Sequence, residues 1–159
     1  MNNKIKSEQL IIEAKKLINV PFCHFGRSTL GVDCSGLLWL VHHRCGLELK
    51  RMDYTYHPLW WRDPAQGERM VNGLINVGGY DFCDEPIIGG LVLFRLYSKK
   101  AAINHCGILI NNESFIHAKC GIGNKINKVT IDKLEYGYNK RIAGYMKCNA
   151  VIYDIEDNN

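Results

Sequence analysis

Three side chains in this sequence have the types and the order that acyl transfer through a thiol requires: Cys34, His105 and His117. Cys34 follows Asp33 and precedes the apolar run 37–41, so it stands at the start of a helix. There, unpaired backbone N–H groups and the positive end of the helix dipole stabilise a thiolate. On its own such a cysteine also reads as a small buried apolar residue. A nucleophilic thiol needs a base, and the base needs a third group to fix its tautomer and orientation. His105 is the candidate base and His117 the candidate orienting group.

Strand parity tests that assignment. Side chains alternate faces along a strand, so two histidines flanking a hairpin meet only across a turn with an odd number of residues. With Asn111, Asn112 and Glu113 as a three-residue turn, His117 lies opposite Gly107 and diagonal to His105, and Gly107 leaves room for two imidazoles. A two-residue turn at Asn111 and Asn112 instead sends His117 to the other face. We favour the odd turn.

The elements that must position these groups follow from periodicity and punctuation. Ser7 caps a predicted helix to about residue 19, with Leu10, Ile11, Ala14, Leu17 and Ile18 on one buried face and Pro21 as its stop. A second helix, residues 34–45, is started by Asp33 and closed by Gly46, and its apolar girth makes it the buried central helix. Residues 51–79 read as a short helix inside long aromatic loops. Strands follow at 91–96, 103–110, 114–118, 125–131 and 141–148, the last extending toward 153. Helices followed by an antiparallel meander give an α+β fold, with the nucleophile-bearing helix packed on the sheet.

At 159 residues with 47% hydrophobic and 23% charged content, the chain reads as one domain over residues 1–159. Its apolar stretches, 37–41 and 87–94, are far short of the roughly 20 residues that span a bilayer. The polar start, followed by Glu13, Lys15 and Lys16, is an amphipathic helix rather than an export signal, which predicts cytoplasmic synthesis without a signal peptide. Seven cysteines without a paired framework predict reduced thiols. A net charge of +4 with scattered lysines and arginines argues against a nucleic-acid partner. No cofactor or metal is expected: His42, His43 and Arg44 read as a solvated helix end, Cys23 and His24 lack partners at ligand spacing, and Cys106 reads as core. Trp60 and Trp61 are either core or the rim of a cleft.

Three segments in order carry a resemblance. GVDCSGLLWLV resembles the nucleophile motif of the NlpC/P60 peptidases, GGLVLF the strand after their helical half, and NHCGILINNESFIHA their hairpin with both histidines. PFCHFGR and RIAGYMK are similar to segments of phage tail-associated members. The resemblance implies a papain-like core, hydrolysis of an amide in peptidoglycan stem peptides, commonly between D-glutamate and the diamino acid, and phage tail proteins as partners. A virion tail or the cell wall would be its destination. It also implies that Asp33 contacts substrate besides capping the helix, and that Ser35 lines the pocket. Two positions depart from the family: Phe22 replaces a tyrosine whose hydroxyl reaches the nucleophile, with His24, Tyr54 and Tyr56 as candidate substitutes, and Gly90 replaces an aspartate. Alternative functions are an amidase or acyltransferase on another acyl donor, and a non-catalytic tail component.

Overall fold

Residues 4–47, 56–121, 127–135 and 137–154 are described by the computed structural model of the chain. In chain order its elements are β1 Ile5–Lys6, α1 Ser7–Lys15, β2 Arg27–Ser28, β3 Gly31–Val32, α2 Cys34–Arg44, α3 Arg69–Asn76, β4 Tyr80–Cys83, β5 Leu91–Phe94, β6 His105–Leu109, β7 Ser114–Lys119, β8 Lys128–Lys133, β9 Ile142–Cys148 and β10 Val151–Ile152.

The central helix begins as its sequence dictates. Asp33 has extended backbone, φ −94° and ψ −176°, and its carboxylate accepts the Gly36 N–H at 2.7 Å, satisfying one of the helix's orphan donors. At the other end Gly46 takes φ +76°, a left-handed conformation open to glycine. Gly36 has a different reason to lack a side chain. A Cβ there would lie 1.9 Å from the Gly26 carbonyl oxygen, so the preceding loop can close on the helix only at a glycine.

Six strands form one sheet in the order β4–β9–β5–β6–β7–β8, antiparallel throughout. Its two faces separate the core into two parts. Leu91, Leu93, Cys106, Ile108 and Ile116 meet Leu10, Leu37, Leu38 and Val41 of α1 and α2 in the larger cluster, while Val92, Phe94, Leu109 and Phe115 form a second cluster with Tyr138 and Ile142. Burying side chains of this size contributes about 1.5–3 kcal/mol each. Along β6 the alternation puts Cys106 and Ile108 on the helix side and His105, Gly107 and Leu109 on the other.

Several expectations need correction. The meander holds from β5 to β8, but β9 returns to the far side of β5, where it is flanked by β4. β4 was not legible because Asp81 and Phe82 are both exposed on this edge strand, which leaves no apolar alternation to detect. Ser7 does not cap α1: β1 pairs with β10 and holds Lys6 extended, so Lys6 occupies the cap position without a side-chain bond and Ser7 is buried as the first helical residue. α1 ends at Lys15, earlier than expected, because Asn19 turns to φ +75° and the chain pairs with β8 through Asn19 N–H to Val129 O and Val129 N–H to Val20 O. His42 is fully buried rather than solvated, and His43 lies stacked on Trp39 at 5.0 Å. Lys125 and Ile126 of the predicted fourth strand lie outside the described residues, and the strand runs Lys128–Lys133.

Candidate active site

Cys34 is the first residue of α2, partly exposed, and opens on a cavity of about 390 Å³ that it shares with His105 and His117. The loop in front of it is locked by Asp33. One carboxylate oxygen accepts from Arg27 Nη1 at 2.8 Å, Ser35 Oγ at 2.9 Å and the Gly36 N–H; the other accepts from the Phe25 N–H at 3.0 Å and the Tyr56 hydroxyl at 2.9 Å. Arg27 also donates to the Gly26 carbonyl at 2.7 Å and to Ser35 Oγ at 3.1 Å. Both members of the Arg27–Asp33 ion pair are buried, so the pair fixes geometry more than it adds stability.

The hairpin between β6 and β7 has the odd turn. Ile108 pairs with Ile116, Leu109 with Phe115, and the Ile110 N–H bonds to the Ser114 carbonyl, which leaves Asn111, Asn112 and Glu113 as the three-residue connection. His105 and His117 therefore share a face and are hydrogen-bonded, Nε2 to Nδ1, at 2.7 Å. Gly107 makes this fit: a Cβ there would stand 2.5 Å from the Phe115 ring and 3.3 Å from His117 Cβ. Phe115 and Tyr138 pack on the His117 ring and Phe94 on His105, walling the pair from water.

Beyond His117 stands a carboxylate that the sequence reading missed. His117 Nε2 lies 3.2 Å from Asp132 Oδ2, which also accepts from Lys119 Nζ at 2.6 Å and the Tyr138 hydroxyl at 3.0 Å. The signal was parity. His117 pairs with Thr130 across β7 and β8, so Asp132, two residues on, is its diagonal neighbour on the same face.

The electrostatics follow from these contacts. The Cys34 thiol is pulled down to about 6, first by a hydrogen bond with the Cys106 thiol and also by the His105 imidazole, against the opposing effect of burial. Cys106 is correspondingly raised, being the side chain that keeps its proton. It packs in the core as expected, and in addition it is hydrogen-bonded to Cys34. Burial lowers both His105 and His117; Cys34 opposes the shift at His105 and Asp132 opposes it at His117. The hydrogen bond from His117 holds Asp132 well below the usual carboxylate range.

The remaining walls are aromatic. Trp60 and Trp61 line the cavity, which settles their role as rim; Trp61 stacks on Tyr97 at 4.5 Å and Arg62 lies over its ring at 4.8 Å. His24 and Tyr56 line the cavity as well, joined Nδ1 to Oη at 3.0 Å, and Phe22 meets His24 edge-on at 5.0 Å. Tyr56 brings a hydroxyl to this wall of the cavity, with its single proton directed to Asp33. Tyr54 lies outside the described residues. Among the described residues, no helix is long and apolar enough to cross a membrane.

Known proteins resemble this chain in sequence and in fold. The chain is 29% identical over 114 residues to the probable peptidoglycan endopeptidase LytE of Bacillus subtilis (strain 168), covering 69% of this chain and 26% of LytE, about a quarter of that protein's length. Among solved structures, an NlpC/P60 family protein from Bacillus cereus ATCC 10987 superposes with a TM-score of 0.63 at 21% identity, over 91% of this chain and 41% of its own. The NlpC/p60 domain of the peptidoglycan hydrolase SagA gives 0.56 at 16% identity, over 89% and 97%, so the fold is shared. The sequence profile of the NlpC/P60 family matches residues 19–145, and the chain belongs to that family.

Proposed function

We propose that this protein is a cysteine peptidase that hydrolyses an amide bond in peptidoglycan stem peptides, between D-glutamate and the diamino acid. The observation that carries the reading is the row Cys34–His105–His117 at the floor of an aromatic cleft. LytE and SagA, named for their action on peptidoglycan, support the substrate class.

In this mechanism the Cys34 sulfur attacks the scissile carbonyl carbon after giving its proton to His105. The oxyanion lies at the N-terminus of α2, where the Cys34 backbone N–H is a donor by position. Collapse expels the amine, which takes the proton from His105, and leaves a thioester. His105 then removes a proton from the incoming water, and hydrolysis regenerates the thiol. Asp33 and Ser35 set the loop beneath the substrate, while His24 and Tyr56 form the wall that it touches. The segments PFCHFGR and RIAGYMK support placement on a phage or prophage tail.

Digestion of purified peptidoglycan, followed by mass spectrometry of the fragments, tests this. New amino termini on the diamino acid are expected, absent with Cys34→Ala. Intact sacculi after treatment with reduced wild-type protein would sink the reading. The aromatic walls of Trp60, Trp61 and Tyr97 favour a second reading, a thiol amidase or acyltransferase on an apolar acyl donor, which the same digestion distinguishes.

A further inference from the structure

The three donors around Asp132 converge on one oxygen, Oδ2: Lys119 Nζ at 2.6 Å, Tyr138 Oη at 3.0 Å and His117 Nε2 at 3.2 Å. An ionised carboxylate only accepts hydrogen bonds, so His117 Nε2 carries its proton. A neutral imidazole has a single N–H, so His117 Nδ1 is bare and must accept the bond from His105 Nε2 at 2.7 Å. His105 has then committed its own N–H, and Nδ1 is the lone pair left for the Cys34 thiol, its hydrogen-bond partner.

We propose that Asp132 is a positioning residue that fixes both imidazoles in the Nε2–H form, leaving the Cys34-facing nitrogen of His105 free to take the thiol proton. This rests on the Cys34–His105 reading above. The proton moves from sulfur to His105 Nδ1, giving thiolate and imidazolium, and the new positive charge is shared along the row toward the carboxylate. Lys119 and Tyr138 hold that carboxylate in place and keep it ionised. Without it, either ring can turn over to the Nδ1–H form, in which His105 presents a proton to a sulfur that needs to lose one. Other titratable groups that face the row are Asp33, Cys106 and Tyr56, all beside Cys34 and remote in sequence from β8.

Two measurements on the free protein test this. In the first, iodoacetamide labelling of Cys34 is followed against pH by mass spectrometry. Asp132→Asn should move the labelling midpoint up by about one pH unit, slowing labelling about tenfold on the acid side of the wild-type midpoint and about twofold at pH 7, since one unit corresponds to a factor of ten in the thiolate population below the midpoint. Asp132→Glu should restore most of the difference. Superimposable profiles for wild type and Asp132→Asn would overturn the proposal. In the second, two-bond proton–nitrogen spectra of the wild type, above the histidine titrations, should show His105 and His117 both as Nε2–H. An Nδ1–H form of either ring would overturn it, and this measurement stands even where Asp132→Asn does not fold. Neither measurement involves substrate, so failure to digest peptidoglycan would refute the proposed function while leaving the tautomer assignment to its own test.

Discussion

His42 and Tyr80 form a buried pair, the Tyr80 hydroxyl donating to His42 Nε2 at 2.9 Å while His42 Nδ1–H bonds the Leu38 carbonyl at 2.7 Å. Both nitrogens are committed in the neutral ring, and the ring is fully buried. Burial lowers its pKa to about 4, with the Leu38 carbonyl pulling the other way. The unfolded chain therefore binds a proton at His42 between its ordinary value near 6.5 and about 4, where the folded protein does not. Stability contributed there is present above pH 6.5 and lost as pH falls toward 4, on the order of 3 kcal/mol in all. Urea denaturation at pH 7 and pH 4.5 should show a larger loss for wild type than for His42→Gln. Equal losses would contradict the assignment.

Cys34 is expected to be the most reactive of the seven thiols at pH 7. Its thiol titrates at about 6, so the ionised form predominates at pH 7, whereas burial pushes Cys45 up to about 11 and raises Cys83, Cys120 and Cys148. Peptide mapping after brief iodoacetamide treatment should find the label on Cys34 first. Faster labelling of an exposed thiol such as Cys23 would remove the case for an activated nucleophile.

Gly107→Ala is expected to lose both stability and activity. The new methyl group would press on the Phe115 ring, the Ile116 carbonyl and His117 Cβ, an overpacking that costs about 1–3 kcal/mol, and its relief shifts Phe115, which packs on His117, and the backbone that carries His117. Hydrolysis should fall by more than the folded fraction measured by circular dichroism at the assay temperature. A drop matching the folded fraction alone would mean that the histidine geometry tolerates the shift.

Arg27→Met should lower thermal stability by about 3 kcal/mol, because it leaves the Asp33 carboxylate buried without its cation. The second change Asp33→Asn, which keeps a cap acceptor, should recover part of that loss. No recovery in the double variant would show that Arg27 acts through its contacts with Gly26 and Ser35 instead.

The parts of this structure that were legible in the sequence are those governed by local rules. Asp33 and Gly46 bracket α2 through capping chemistry alone, and the odd turn favoured from the sequence is the one that brings His105 and His117 together. What stayed hidden depends on sheet order or on burial set by distant partners. The placement of β9 between β4 and β5 is a tertiary outcome that no feature of IAGYMKC dictates. His42 lies in a helical turn with His43 and Arg44, and only the arrival of Tyr80 from β4 makes it a core residue. Asp132 could be found only after β7 and β8 were paired in register.

The short ladder between β1 and β10 gives the domain a mechanical character. The two strands run parallel, Ile5 beside Val151 and Lys6 beside Ile152, with the Ile5 N–H bonded to the Ala150 carbonyl at 3.1 Å. Tension applied through residues before β1 and after β10 pulls parallel neighbours past one another, loading their hydrogen bonds together in shear rather than peeling them in succession. A force applied across the chain thus meets this clasp before it reaches α2 and the cleft. The row Cys34–His105–His117 sits behind the first element to bear the load.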